Sequence, residues 1–344
     1  MPFYTPLRYP GGKRRLFATV ANLIEQNGLT DIEYAEAYAG GSAIALALLF
    51  EEYASVVHIN DLSRPVYAFW NSALNDTANL CRRIELTKVT MHEWNRQREI
   101  YENQSAAALD ELGFAALFLN RTNRSGIIGG GVIGGKQQTG EWGIDARFTK
   151  PELIRRLKRI GRYSNRIRLY QMDAEVFART VIGKFGKNSF ALFDPPYIEN
   201  GQDLYLNDYT LDGHQRLSEK VSTLQTPWIV TYDYAAVHHR LYAGFRRIAY
   251  GLSYTANGRH EGKEVMFLSH GLQLPPEWSI GSPFLLSSEG TKAKVYGILE
   301  RVKLRHETGT ARSKRLKGAA DKNSVNVRKP AIRKKRRTQK PVKH

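Results

Sequence analysis

Three apolar runs in this chain each give way to a carboxylate: Ser55–Asn60 to Asp61, Ile167–Gln171 to Asp173, and Phe190–Phe193 to Asp194. A fourth run, Glu33–Ala37, leads into the turn Gly40-Gly41-Ser42. Between these strand candidates lie segments with helical spacing: Lys13–Gln26, Ala43–Phe50, Pro65–Leu86, 112–118, Pro151–Ile160 and Ala174–Ile182. Further along come helices over His214–Leu224 and Ala235–Tyr242, and strands at Trp228–Thr231, Phe245–Tyr250 and Glu264–Ser269. Strands that alternate with helices require crossover connections, so the chain is expected to form a mostly parallel sheet covered on both faces. Ligands of such sheets bind beyond the carboxyl ends of the strands. That is where this sequence puts its aspartates and its glycine turn.

Charge adds a second constraint. The chain has 344 residues and a formal net charge of +18. Thr291–His344 carries 19 basic and 3 acidic residues, and Arg121–Arg168 carries 12 basic and 3 acidic. The remainder is therefore acidic. The terminal stretch has few large apolar residues and runs such as Arg333-Lys334-Lys335-Arg336-Arg337. Such a composition predicts a disordered arm, either a contact for a polyanion or a solubilising tail. The inner basic segment mixes its charge with apolar periodicity and predicts folded structure. The single cysteine, Cys81, excludes an internal disulfide and a cysteine-based metal site. The longest apolar stretch, around Ala43–Phe50, is far short of the roughly 20 residues of a membrane helix. With no apolar signal core at the N-terminus, the expectation is a cytoplasmic, nucleoid-associated protein. His238 and His239 have no metal-ligand partners at suitable spacing, so no metal site is expected and both are read as surface residues.

Asp194-Pro195-Pro196-Tyr197 is the motif richest in chemistry. Two prolines remove two N–H donors and stiffen the chain after the strand. A carboxylate then precedes a fixed carbonyl, with an aromatic ring close behind. Both oxygens can accept from an amino group in the plane of a heterocycle while Tyr197 stacks on its face. An ordinary Asp-Pro turn is the plain alternative. Asp61 suits a ribose diol, or caps a helix. Arg8-Tyr9-Pro10-Gly11-Gly12-Lys13 reads as a proline–glycine turn or as an aromatic and cationic clamp. No phosphate-binding GxxxxGK[ST] pattern is present, which favours a nucleoside ligand without phosphates.

Tyr9-Pro10-Gly11-Gly12-Lys13, Glu36-Ala37-Tyr38-Ala39-Gly40-Gly41-Ser42, Asn60-Asp61 and Asp194-Pro195-Pro196-Tyr197 stand in the order found in Dam-like DNA adenine-N6 methyltransferases, which the chain resembles over roughly Leu7–His270. Asn120-Arg121-Thr122-Asn123, Ser125-Gly126, Gly129–Gly135, Arg147-Phe148 and Pro151-Glu152-Leu153-Ile154 resemble that family's recognition domain. The resemblance implies a Rossmann-like methyltransferase sheet with an inserted, mainly helical target recognition domain. It implies S-adenosylmethionine as cofactor, bound by Tyr9, Lys13, Glu36, Tyr38, Gly40, Gly41, Asp61, Asp173 and Asp194. It also implies catalysis at Asp194, Pro195, Pro196 and Tyr197 on an adenine flipped out of double-stranded DNA. The departures are Ser42 where many members have a further glycine, Ala37 where proline is common, and Tyr9 where some have tryptophan; they are expected to affect cofactor affinity.

The corresponding domains are 1–84 and 166–275 for the methyltransferase, 85–165 for target recognition, and 276–344 for the basic tail. Within the recognition segment Arg121 and Arg124 are expected at guanine edges beside Asn120. Arg155, Arg156, Lys158 and Arg159 are expected at phosphates, or as a solvated helix face. Gly129–Gly135 is expected to be too flexible for a preformed reader and to order on DNA. A monomer or weak dimer is expected, acting either in a restriction-modification system with a cognate restriction enzyme as partner or in orphan methylation. The rivals are transfer to another amino group, in RNA adenine or at cytosine N4, and a DNA-binding protein that keeps the fold without catalysis. Asp194 favours adenine in DNA, because RNA and protein enzymes commonly carry Asn there and cytosine-N4 enzymes Ser. An intact Asp61, Asp173 and Asp194 set speaks against the non-catalytic rival. Cys81, in a helix with no site motif nearby, does not suit cytosine-C5 chemistry.

Overall fold

Along the chain, α1 (Leu16–Gln26) precedes β1 (Ile32–Glu36), α2 (Ala43–Phe50) and β2 (Ala54–Asn60). Helices α3 (Arg64–Asn75), α4 (Thr77–Leu86), α5 (Met91–Glu102), α6 (Leu109–Thr122) and α7 (Lys150–Arg162) follow. Alternation then resumes with β3 (Ile167–Tyr170), α8 (Ala174–Thr180), β4 (Ser189–Phe193), α9 (Leu211–Ser222), β5 (Trp228–Asp233), α10 (Ala236–Leu241), β6 (Arg246–Tyr254) and β7 (His260–Leu268). The structure, a computed structural model, describes residues 3–9, 16–196, 211–254 and 260–275. Lys13, Tyr197 and the basic tail lie outside the described residues.

The strands form one seven-stranded sheet in the order β3-β2-β1-β4-β5-β7-β6. Strands β1 to β5 are parallel, and β7 runs antiparallel between β5 and β6. This is a Rossmann-like α/β sheet, as expected. The two-residue period of a strand sends alternate side chains to opposite faces. Ile32, Tyr34, Phe190, Leu192, Ile229 and Met266 enter one core with α1, α2, α3 and the inserted helices. Ala35, Ala191, Phe193, Trp228, Val230 and Val265 enter the other with α8 and α9. The inserted helices therefore share a core with one face of the sheet.

Two local expectations differ from the structure. Pro65–Leu86 is two helices, because Asp76 leaves helical geometry at φ −143° and its N–H closes α3 onto the Ser72 carbonyl. Helix α5 is a further element, started by Thr90, whose Oγ1 accepts from the Glu93 N–H at 3.2 Å. Thr90-x-x-Glu93 is a capping-box spacing and marks that start in the sequence.

The strand ends are tied by one side chain. Asn60, fully buried at the end of β2, donates to the carbonyls of Ala37 at 2.9 Å and Met172 at 3.0 Å. Its Oδ1 accepts from the Met172 N–H at 2.9 Å. One amide thus fastens the chain leaving β1 and the chain leaving β3.

The expectation that His238 and His239 lie on the surface is wrong, since both are buried. Helix α10 turns them toward β5, where the His238 ring stacks on Tyr232 with centroids 3.9 Å apart. His238 Nδ1 lies 3.1 Å from the Asp233 carbonyl oxygen, and His214 Nδ1 lies 2.9 Å from the Tyr232 hydroxyl.

Two predictions come from these contacts. Asn60→Ala leaves buried backbone groups unpaired and should destabilise the fold by about 3 kcal/mol or more. Asn60→Asp, unable to donate to either carbonyl, should do the same in denaturant titrations. Burial pushes His238 down to about 4. The ordinary value is about 6.5, so the unfolded chain binds more protons between these limits, and stability is complete above about pH 6.5 and falls as pH drops through the window. Thermal midpoints should accordingly fall between pH 7 and pH 5, and His238→Phe should shrink that fall.

A candidate active site where the strand order reverses

From β1 the sheet grows through β2 and β3 in one direction and through β4 and β5 in the other. The crossovers from β1 and β4 therefore leave on opposite faces and open a crevice beyond their carboxyl ends, the usual ligand position in such sheets. The Ala37 N–H donates to the Leu192 carbonyl at 3.1 Å, closing the ladder between the two strands. Beyond that bond, one wall is the turn from Tyr38 to Ser42 and the other is Asp194-Pro195-Pro196.

The glycine turn is held at both ends. Gly40 N–H donates to Asp61 Oδ2 at 2.8 Å, and its carbonyl accepts from the Trp70 indole N–H at 2.9 Å. The Tyr9 ring lies against Gly40, whose φ is +46°. A Cβ there would come within 2.7 Å of the ring, so only glycine fits both the backbone and the contact. Gly41 lies against the Tyr9 Cβ and the Thr5 hydroxyl. Ser42 has the left-handed φ of +47°, a conformation a glycine would adopt at lower cost.

Asp61 Oδ1 accepts from the Ser63 N–H at 2.9 Å. The residue capping α3 is Ser63, so Asp61 braces the glycine turn instead of capping that helix. Asp173 does cap a helix: its Oδ1 accepts from the Glu175 N–H at 2.8 Å at the start of α8. Glu36 is buried, and its Oε1 accepts from the Ala45 N–H at 2.8 Å, joining β1 to the positive end of α2. Tyr38 is half-buried and packs on the core that also holds α8 and α9.

Asp194 is 5% exposed at the end of β4. The Thr231 hydroxyl of β5 donates to its Oδ1 at 2.8 Å. Pro195 is buried and Pro196 half-buried. Tyr9, Gly40, Gly41 and Asp61 thus form one connected group, with Glu36 behind the turn and Asp173 and Asp194 at neighbouring strand ends. Carboxylates so placed make an acceptor-rich crevice that suits a cation bearing hydroxyl and amino groups. The cradle formed by Gly40 under Tyr9 admits no further side chain. Trp70 and Thr231 carry no motif; only the buried face of α3 and the pairing of β5 with β4 bring them here.

The expected nucleic-acid residues divide. Asn120 is fully buried, with Oδ1 accepting from the Arg8 N–H and Nδ2 donating to the Arg8 and Gly126 carbonyls, each at 2.7 Å. It is an internal clamp, and its amide is occupied. Arg121 is half-buried, with Nε donating to the Arg147 carbonyl at 2.7 Å, whereas Arg124 is exposed. Arg155 forms a two-pronged pair with Glu152, and Arg156 bonds both Glu152 and the Thr5 carbonyl. Arg159 lies over the rings of Tyr4 and Phe50, 4.6 and 4.3 Å from their centroids. Of the four basic residues expected at phosphates, three are therefore engaged within the molecule, and Lys158 is the exposed exception. The glycine run is also tied down. Arg124 N–H donates to the Gly131 carbonyl at 2.9 Å, and Gln138 Nε2 to the Ile133 and Gly135 carbonyls at 2.7 Å. The expectation that Gly129–Gly135 is too flexible to be preformed fails for that reason.

A family model described as D12 class N6 adenine-specific DNA methyltransferase matches residues 9–255. No curated protein sequence matches the chain significantly. The rRNA methyltransferase aviRa from Streptomyces viridochromogenes is 14% identical, over 76% of this chain and 86% of that one, with a TM-score of 0.35. TrmN from Thermus thermophilus is 12% identical over 75% and 52% of the two chains, with a TM-score of 0.35. A SAM-dependent methyltransferase from Agrobacterium tumefaciens is 11% identical over 76% and 63%, with a TM-score of 0.33. These structural likenesses are too loose to bear on fold or substrate. The family match spans most of the chain and contains the glycine turn, Asp61 and Asp194: the chain belongs to the D12 class N6 adenine-specific DNA methyltransferase family.

Proposed function

We propose that this S-adenosylmethionine-dependent enzyme methylates N6 of an adenine flipped out of double-stranded DNA at a specific sequence, with Asp194-Pro195-Pro196-Tyr197 receiving the base. The observation that carries the reading is Asp194, buried at the strand-order reversal and oriented by the Thr231 hydroxyl. When bound, S-adenosylmethionine supplies a methyl group on a cationic sulfonium. Tyr9, Lys13, Glu36, Tyr38, Gly40, Gly41, Asp61 and Asp173 hold that cofactor. Its positive charge and ribose hydroxyls match the carboxylates of the crevice.

The adenine amino nitrogen is a weak nucleophile because its lone pair is delocalised into the ring. Asp194 and the Pro195 carbonyl accept its two N–H bonds and favour the tetrahedral nitrogen that forms the new C–N bond as the sulfur–methyl bond breaks, one of the two N–H protons then being lost to solvent. Their acceptor oxygens stabilise the positive charge that develops there. Tyr197 replaces the stacking lost when the base leaves the duplex. Holding nucleophile and methyl in line accounts for the rest, and no covalent enzyme intermediate is required. The segment 85–165 carries target recognition, supported by its basic charge and its position between the two halves of the sheet.

Tritiated methyl transfer to unmethylated DNA, RNA and protein tests the reading. Label should enter DNA alone and be recovered as N6-methyladenine; unlabelled DNA under conditions where the cofactor binds would reject it. Asp194→Ala should abolish transfer and leave DNA affinity within about threefold. Thr231→Val should lower kcat about tenfold with little change in KM, as expected for one lost hydrogen bond to a charged group. Gly40→Ala should displace Tyr9 and weaken cofactor binding by at least about tenfold in calorimetry, with the circular dichroism spectrum unchanged.

A further inference from the structure

The segment Thr5–Arg8, which carries Tyr9 to the glycine turn, is fastened to the inserted helices. Arg156 Nη1 donates to the Thr5 carbonyl at 2.7 Å, and the Asn120 amide holds both backbone groups of Arg8 at 2.7 Å. Gly126, at φ +78°, abuts the same residue, and a Cβ there would fall 2.3 Å from the Arg8 carbonyl oxygen. Arg121, next to Asn120, reaches the Arg147 carbonyl. Three separate stretches of chain thus bring four arginines together.

Their charges are poorly compensated. Burial, then the charges of Arg8, Arg156 and Arg147, push Arg121 down to about 10. Burial and Arg147 lower Arg8. The acid that acts on Arg121 is Glu152, already bonded to Arg155 and Arg156. Among the described residues, neither the Arg8 nor the Arg147 guanidinium has a hydrogen-bond acceptor. The exposed Trp142 ring lies beside Arg147, 5.9 Å from its guanidinium carbon. Like charges held together in a partly desolvated place raise the energy of the free protein and favour an anion that matches the guanidinium fork.

We propose that Arg8, Arg121 and Arg147, beside which Arg156 fastens the N-terminal segment, form a seat for one backbone phosphate of the DNA substrate, an inference that rests on the DNA reading above. The seat differs from the phosphate contacts expected on α7, because Arg155, Arg156 and Arg159 are engaged elsewhere and Arg8 comes from the segment that carries Tyr9. A phosphate here also bears on the segment that places Tyr9, so occupancy by DNA and by cofactor are linked.

Fluorescence anisotropy of labelled duplexes across a potassium chloride series, on the full-length enzyme and on Arg8→Gln and Arg147→Gln, tests the seat. Each variant should bind more weakly on every duplex alike. The slope of log K against log salt should shrink by about 0.9. The melting temperature should stay level or rise, because a repulsion is removed, and cofactor affinity without DNA should be unchanged. Unaltered affinity and slope would overturn the seat. Loss confined to one sequence would make these residues base readers, and a lower melting temperature would make them structural. A tenfold loss of cofactor affinity without DNA would assign the seat to the cofactor carboxylate. A wild-type enzyme that neither binds nor methylates DNA overturns the functional reading and the seat together. One that methylates DNA while both variants keep its slope overturns the seat alone.

Discussion

A parallel sheet that grows in both directions from one strand has its crossover helices on opposite faces, and they part at the reversal. In this protein the parting lies between β1 and β4, and among the described residues those assigned to cofactor or target base stand at strand ends or in the glycine turn, with Tyr9 laid on that turn. Such an opening holds its shape only if the strand ends are tied, since the ladder itself stops there. Asn60 makes that tie from the strand between them, joining the ends of β1 and β3 through three hydrogen bonds. Asp61, the next residue, is thereby aimed at the glycine turn.

The same economy of contacts separates two electrostatic regions. Carboxylates gather at the crevice, where a cationic cofactor and the charge developing on an amino nitrogen both need acceptors. Arginines gather on the inserted segment, and most of those on α7 are engaged in holding it: Arg156 on the N-terminal segment, Arg159 on the Tyr4 and Phe50 rings, Arg155 on Glu152. Net charge over a stretch of sequence is therefore a poor guide to which of its cations meet a polyanion. Those without acceptors are the better candidates.

Much of the fold was legible from period and punctuation. Apolar runs ending at Asp61, Asp173 and Asp194 specify strands whose carboxyl ends carry polar groups, and the structure places all three at such ends. The helix α5 was legible in principle through Thr90 and Glu93. The break at Asp76 was not, because a non-helical backbone at one residue depends on how α3 and α4 pack. His238 and His239 look like surface residues in a short polar stretch. The burial of His238 follows from Tyr232 being available as a stacking partner, and that of His239 from the Tyr234 and Phe267 rings, which no local pattern records.

For the site, the sequence alone determined which chemical groups are present and in what order: a glycine turn, strand-end carboxylates, and an Asp-Pro-Pro-Tyr segment after a buried strand. Those features are local, set by backbone conformation and hydrophobic period. Tertiary structure decided which groups work together. It laid Tyr9 on Gly40, gave Asp194 the Thr231 hydroxyl, turned Asn120 inward, and brought Arg8 to Arg121, Arg147 and Arg156. Each pairing spans tens of residues or more. It exists because packing and hydrogen bonding of distant segments leave one arrangement in which buried polar groups are satisfied.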